Sequence, residues 1–181
     1  MPVIDSILRL QKGSHVFWAG TGNAPEMLSL ALAHPDVQFV GVDPNGDAMR
    51  VAQKIARRLG LANVQLTCGD AMAETNQAGE PHTFSHIPGR YTHIYSTAIS
   101  GEELHYHLAA MAAGCRLCQL DTDLVRDVWC GVEYEQSAPV HFQGSGRQRR
   151  LWARDLPGSE ALDALALAAA AHPTLDRGGS R

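Results

Sequence analysis

A short apolar run that empties into a glycine turn, and from there into a helix, limits this chain to few architectures. Residues 15–19 (His-Val-Phe-Trp-Ala) lead straight into Gly20-Thr21-Gly22, and Pro25 with Glu26 suits the first turn of a helix. Proline fits because its missing N–H is not needed there, and glutamate faces the positive end of the helix dipole. That helix reaches about residue 33, and His34-Pro35-Asp36 turns the chain into a second strand at 38–42. The next helix, over 46–59, sets Ala48, Val51, Ala52, Ile55 and Leu59 on one stripe, expected to face the core. Arg50, Lys54, Arg57 and Arg58 lie opposite, and Gly60 supplies the stop. A third strand at 64–67 ends in Gly69-Asp70. With a leading helix over 3–11, the order is αβαβαβ with connections too long for hairpins. Such an order demands a parallel sheet covered by helices.

Beyond residue 71 the rhythm changes. Residues 72–90 are polar and irregular, with Pro81, Pro88, Gly79 and Gly89, so a functional loop is expected. A strand at 91–96, a helix at 102–112 and a strand at 115–120 continue the alternation. Strand patterns at 128–136, 140–143 and 149–154, with Gln143-Gly144-Ser145-Gly146 as a turn, then predict an antiparallel edge. An alanine-rich helix at 159–171 and a polar tail at 176–181 close the chain, so residues 1–175 are expected to form a single domain.

Composition removes several classes of function. Apolar residues make up 45% and charged residues 19% of 181, the balance of a globular protein. No apolar run is long enough to cross a bilayer, and the first residues lack a cleavage site, which predicts a cytoplasmic protein. The net charge of −4 gives no pull toward polyanions, so nucleic acid is not expected as a partner. One local exception is the cluster Arg147, Arg149, Arg150 and Arg154. Cys115 and Cys118 form a C-x-x-C, but an offset of three on a strand points them to opposite faces. His105 and His107, two apart on a helix, do not share a face either. No metal site is expected.

The residues that carry chemistry fall at the C-terminal ends of the first three strands, where open parallel sheets bind ligands. The turn Gly20-Thr21-Gly22-Asn23-Ala24-Pro25 lets backbone approach a ligand, and the following helix offers free N–H groups. Asp43, followed by Pro44, ends strand two and can accept two hydrogen bonds from a ribose diol. Asp70, followed by Ala71, can accept from an exocyclic amine such as that of adenine. A glycine turn followed by an acid about 20 residues on is shared with NAD enzymes. Pro25 stands where the dinucleotide fingerprint wants Gly or Ala, and the step Gly69-Asp70-Ala71 is foreign to it.

On these residues the stretch 16–71 resembles the class I S-adenosylmethionine-dependent methyltransferases. VFWAGTGNA looks like their glycine motif, FVGVDPN their second-strand acid and CGDA their third. The resemblance implies a Rossmann-like α/β three-layer sandwich whose mostly parallel, seven-stranded sheet ends in an antiparallel C-terminal hairpin. It implies S-adenosyl-L-methionine as cofactor. Gly20, Gly22 and Ala24 would line its methionine part, Asp43 would hold its ribose and Asp70 its adenine, Ser96 would sit near the sulfonium, and Thr21, Asn23, Pro44 and Ala71 would complete the cofactor site. The family usually carries an acid two positions before the first glycine, where this chain has Trp18, and Ala24 replaces the third glycine.

The same turn followed by Val42-Asp43-Pro44 is similar to nicotianamine synthases, which share the fold and transfer the aminocarboxypropyl arm instead of methyl. A non-catalytic cofactor-binding module is the third alternative. The acceptor would be a small molecule or a protein, with Tyr95, Glu102, His105, Asp121 and Asp123 on the substrate side and no general base assigned. A homodimer is left open. The loop 72–90 is expected to close over the adenine side.

Overall fold

The computed structural model describes residues 2–71, 91–97, 114–120, 136–141 and 148–156. The elements run α1 (Pro2–Leu8), β1 (His15–Ala19), α2 (Pro25–Ala33), β2 (Gln38–Asp43), α3 (Gly46–Arg58), β3 (Val64–Cys68), β4 (His93–Ser96), β5 (Arg116–Leu120), β6 (Gln136–His141) and β7 (Gln148–Asp155). The strands form one seven-stranded sheet in the order β3-β2-β1-β4-β5-β7-β6. Strands β1 to β5 pair in parallel, and β7 pairs antiparallel with both β5 and β6. The chain therefore has the expected mostly parallel α/β sheet with an antiparallel C-terminal pair.

Alternation along β1 sorts its side chains onto two cores. Val16 and Trp18 join the cluster built with Ile7 and Leu8 of α1, Met27 and Leu30 of α2, and Ala52 of α3. Phe17 and Ala19 face the other way, into a cluster with Val42, Ile94 and Leu117. Cys115 and Cys118 divide in the same manner, one in each cluster. Burial pushes both thiols up to about 12, so neither ionises near neutrality.

Two side chains fasten the layers. Asn63, just before β3, points its amide nitrogen at the carbonyls of Ala31 (3.0 Å), His34 (3.1 Å) and Val37 (2.9 Å), closing the turn from α2 into β2. Arg116 lies buried under the sheet end, where Nε donates to the Ile7 carbonyl at 2.8 Å and Nη1 sits 2.8 Å from the Asp155 carboxylate. One guanidinium thus joins α1, β5 and β7.

Two expectations need correction. In α3 the buried residues are Met49, Ala52 and Ala56, whereas Val51, Ile55 and Leu59 are 47%, 38% and 47% exposed. The small Ala52 and Ala56 let the helix axis approach the sheet, which rotates the larger apolar stripe to its flank. At the C-terminal edge, the expected break at 137–139 is instead the middle of β6. Pro139 is tolerated there because β6 is an edge strand. The loop 72–90, the helix 102–112, the strand 128–135, the turn at Gln143–Gly146 and the helix 159–171 lie outside the described residues, as does Arg147.

Candidate functional site

The strand order reverses between β1 and β4, and the carboxyl ends of the strands flanking that point are where such sheets take ligands. Backbone bonds draw the ends of the first three strands together. Gly20 N–H donates to the Val42 carbonyl at 2.9 Å, and Gly69 N–H donates to the Asp43 carbonyl at 3.1 Å. The second bond brings exposed Asp70 beside the end of β2.

Asp43 is the hub. Its Oδ2 accepts from Gly22 N–H at 2.7 Å and its Oδ1 from Asn45 N–H at 2.8 Å. It does not cap α3: that role falls to Asn45, whose side chain accepts from Asp47 and Ala48 N–H, both at 3.1 Å. A carboxylate offers about four lone-pair sites, so the two backbone bonds leave one on each oxygen. A vicinal diol requires that arrangement.

The glycine turn is shaped by left-handed backbone. Gly20 has φ +71° and Gly22 φ +53°. Among the described residues a Cβ on Gly22 would meet nothing within 4 Å, whereas one on Gly20 would fall 2.5 Å from Thr97 Oγ1. Ala24 takes φ +56° without being glycine, and it is buried, its methyl packed into the core. It starts α2 with no side-chain cap. Thr21 turns inward, with its hydroxyl 3.3 Å from Met49 Sδ, while Asn23 stands exposed at the tip. Pro44 is exposed, and its carbonyl lies 3.7 Å from Cys68 Sγ. Ala71 and Ser96 are buried.

Sequence reasoning missed Thr97. Its Oγ1 lies 2.6 Å from the Gly20 carbonyl and 3.1 Å from that of Ala19, so it clamps the turn across the switch point. Its place directly after β4, level with the first glycine, was the available signal. Tyr95 is not on the substrate side. It is fully buried with its ring centroid 3.9 Å from that of Trp18, and burial holds its phenol well above the usual range. Trp18 is likewise core, and its strand position keeps any carboxylate from that point of the turn. Glu102, His105, Asp121 and Asp123 lie outside the described residues.

A separate cleft of about 440 Å³ opens at the other end of the sheet, lined by Arg9, Lys12, His93, Arg116 and Asp155 among others. It is remote from the glycine turn. Among the described residues no group of His, Cys, Asp and Glu is placed to hold a metal ion.

With a glycine turn held by a second-strand acid at its switch point, the sheet has the fold of the class I S-adenosylmethionine-dependent methyltransferases. Residues 10–87 match the methyltransferase domain family. A ribosomal RNA small subunit methyltransferase G of Bacteroides fragilis is 38% identical over 87 residues, 48% of this chain and 39% of that protein. Its Legionella pneumophila counterpart is 38% identical over 60 residues, 33% of this chain and 29% of that protein. The chain thus spans about two fifths or less of the length of these curated relatives. Among solved structures, an RNA methyltransferase from Salinibacter ruber in complex with S-adenosyl-L-homocysteine superposes with a TM-score of 0.58 at 18% identity. That match covers 86% of this chain and 91% of that one. The expectation that nucleic acid is no partner is overturned by these relatives, which are named for ribosomal RNA. Net charge misled because it averages over the whole surface, and an interface is local.

Proposed function

We propose that this chain is an S-adenosylmethionine-dependent methyltransferase that acts on RNA. The observation that carries the cofactor is the Asp43 carboxylate, anchored to the glycine turn at 2.7 Å with lone pairs left for a diol. Gly22 would face the cofactor through its backbone, Asp43 would hold its ribose, and Asp70 would accept from its adenine. Gly20, Thr21, Asn23, Ala24, Pro44, Ala71 and Ser96 would shape the surrounding wall, Thr21 and Ser96 through backbone. When bound, the cofactor supplies a methyl group already activated on a sulfonium. This chain's own residues then need only align the acceptor and exclude water. RNA as acceptor rests on the named relatives over the segment that builds the site. A cytoplasmic location and one domain over residues 1–175 belong to the same proposal. Among the described residues no helix is long and apolar enough to cross a membrane.

Aminocarboxypropyl transfer is the competing reading, favoured by one observation: the turn Gly20-Thr21-Gly22-Asn23-Ala24-Pro25 followed by Val42-Asp43-Pro44 resembles that of nicotianamine synthases. Titration calorimetry with S-adenosylhomocysteine and with NAD tests the cofactor. The expected result is binding of the first alone, and NAD binding without any response to S-adenosylhomocysteine would refute it. Incubation with S-adenosylmethionine and ribosomal RNA then separates the reactions. Methyl transfer yields S-adenosylhomocysteine and labelled RNA, whereas methylthioadenosine as product would mark the competing chemistry.

A further inference from the structure

The exposed face of α3 carries Arg50, Lys54, Arg57 and Arg58, which with Gln53 line a groove of about 570 Å³. We infer that this strip is a docking track for the phosphate backbone of the RNA acceptor, leading away from the cofactor edge. The inference rests on the functional reading above and adds the surface that receives the acceptor.

Four cations meet a single carboxylate on this helix, Asp47, which pairs with Arg50. The chain as a whole carries −4, so the strip is a local inversion of charge. The helix dipole accounts for Arg57 and Arg58 in the last turn, but its pull falls off within that turn and offers nothing to Arg50 and Lys54. Residues 50, 54 and 57 recur at helical spacing, which stacks them on one face. From Arg50 to Arg58 the strip spans about 12 Å at 1.5 Å per residue.

Position gives the strip its direction. A Cβ on Gly46 would lie 3.5 Å from Cys68 Sγ and 3.9 Å from Arg50 Nη1. Arg50 therefore stands over the carboxyl end of β3, two residues before Asp70. Gln53 donates to the Leu66 carbonyl at 3.1 Å, which fixes this flank of α3 against β3. The track thus starts at the cofactor edge and descends the outer side of the sheet. Three of its four cations are arginines, whose guanidinium forks match phosphate oxygens. Lys54, Arg57 and Arg58 are exposed, so their charges are available to a polyanion.

The test is fluorescence anisotropy of the full chain with a labelled single-stranded RNA of about 20 nucleotides, over a range of salt. Each phosphate contact contributes about 0.7 to the slope of log K against log salt for single strands. The triple variant Lys54→Glu, Arg57→Glu, Arg58→Glu is expected to bind at least tenfold more weakly, with the slope reduced by about 2. Lys12→Glu, a reversal at the opposite end of the sheet, is expected to stay within twofold of wild type. Unchanged affinity and slope in the triple variant would overturn the track, as would a loss in Lys12→Glu equal to that of Lys54→Glu alone. Polyglutamate competing as well as unlabelled RNA of equal charge would also overturn it, in favour of an acidic protein partner. Calorimetry with S-adenosylhomocysteine separates the two proposals. Wild type that binds RNA through α3 but not S-adenosylhomocysteine refutes the methyltransferase reading and leaves the track standing.

Discussion

Asp43 shows how much one residue can carry and how little of that a sequence displays. From sequence it is an acid at a strand end, suited to a ribose, with the cap of the next helix as the lesser reading because aspartate is a preferred N-cap. The structure removes the second role, since Asn45 caps α3, and adds another: Asp43 ties the glycine turn down through Gly22 N–H. Replacing it therefore acts twice. Asp43→Ala is expected to weaken S-adenosylhomocysteine binding by about 1.5–3 kcal/mol, the scale of hydrogen bonds to a charged group. It should also lower stability by about 1–2 kcal/mol, because two backbone N–H groups lose their acceptor. Calorimetry and chemical denaturation measure the two effects separately. A variant that binds as tightly as wild type would reduce Asp43 to a turn-former.

At the scale of elements, β2 couples core packing to the site through a position that sequence reading passes over. Gly41 looks like an ordinary small residue inside Phe39-Val40-Gly41-Val42-Asp43. A Cβ there would lie 2.8 Å from Thr21 Cγ2, 2.9 Å from Leu66 Cδ2 and 3.0 Å from Met27 Cε. Its absence is what lets α2 and the glycine turn close down on β2. Gly41→Ala is expected to cost about 1–3 kcal/mol as overpacking and to weaken cofactor binding by displacing Thr21, a joint loss that thermal melting and calorimetry would register. Binding intact at reduced stability would show that the turn moves independently of β2. The described elements from α1 to β5 were legible because strand-turn-helix spacing and the residues at helix ends, Pro25 and Gly60 among them, are local signals. The buried face of α3 was not. Of the expected stripe Ala52 is buried, but Val51, Ile55 and Leu59 are not, and the helix adds Met49 and Ala56 to its buried face, a choice made by how closely the sheet admits the axis. Asn63 was illegible for a related reason, since its partners lie 26 to 32 residues away, and Thr97, 77 residues from Gly20, showed only its place after β4.

Across the whole molecule, the two ends of the sheet divide the work: glycine turn and acids at the carboxyl ends, structural ties at the amino ends. The chain order of strands gave the first end away, whereas the second depends on β7 returning antiparallel to bring Asp155 under Arg116, which no local pattern announces. His93 stands among these ties. Its Nδ1 lies 2.7 Å from Thr92 Oγ1, and Arg116 and Asp155 flank it. Burial lowers its pKa from the ordinary 6.5. A hydrogen bond to the Leu8 backbone opposes that shift, the Arg116 charge adds to it, and Asp155 opposes it. The folded chain therefore holds His93 neutral at a pH where the unfolded chain takes up a proton. Its contribution to stability is fully present above about 6.5 and is lost as pH falls from there through the lowered folded value. Thermal melts between pH 7.5 and 5 should show the wild-type midpoint dropping more steeply than that of His93→Asn, which cannot titrate. The two midpoints should converge toward the acid end, and parallel curves would mean that the imidazole takes its proton as readily folded as unfolded.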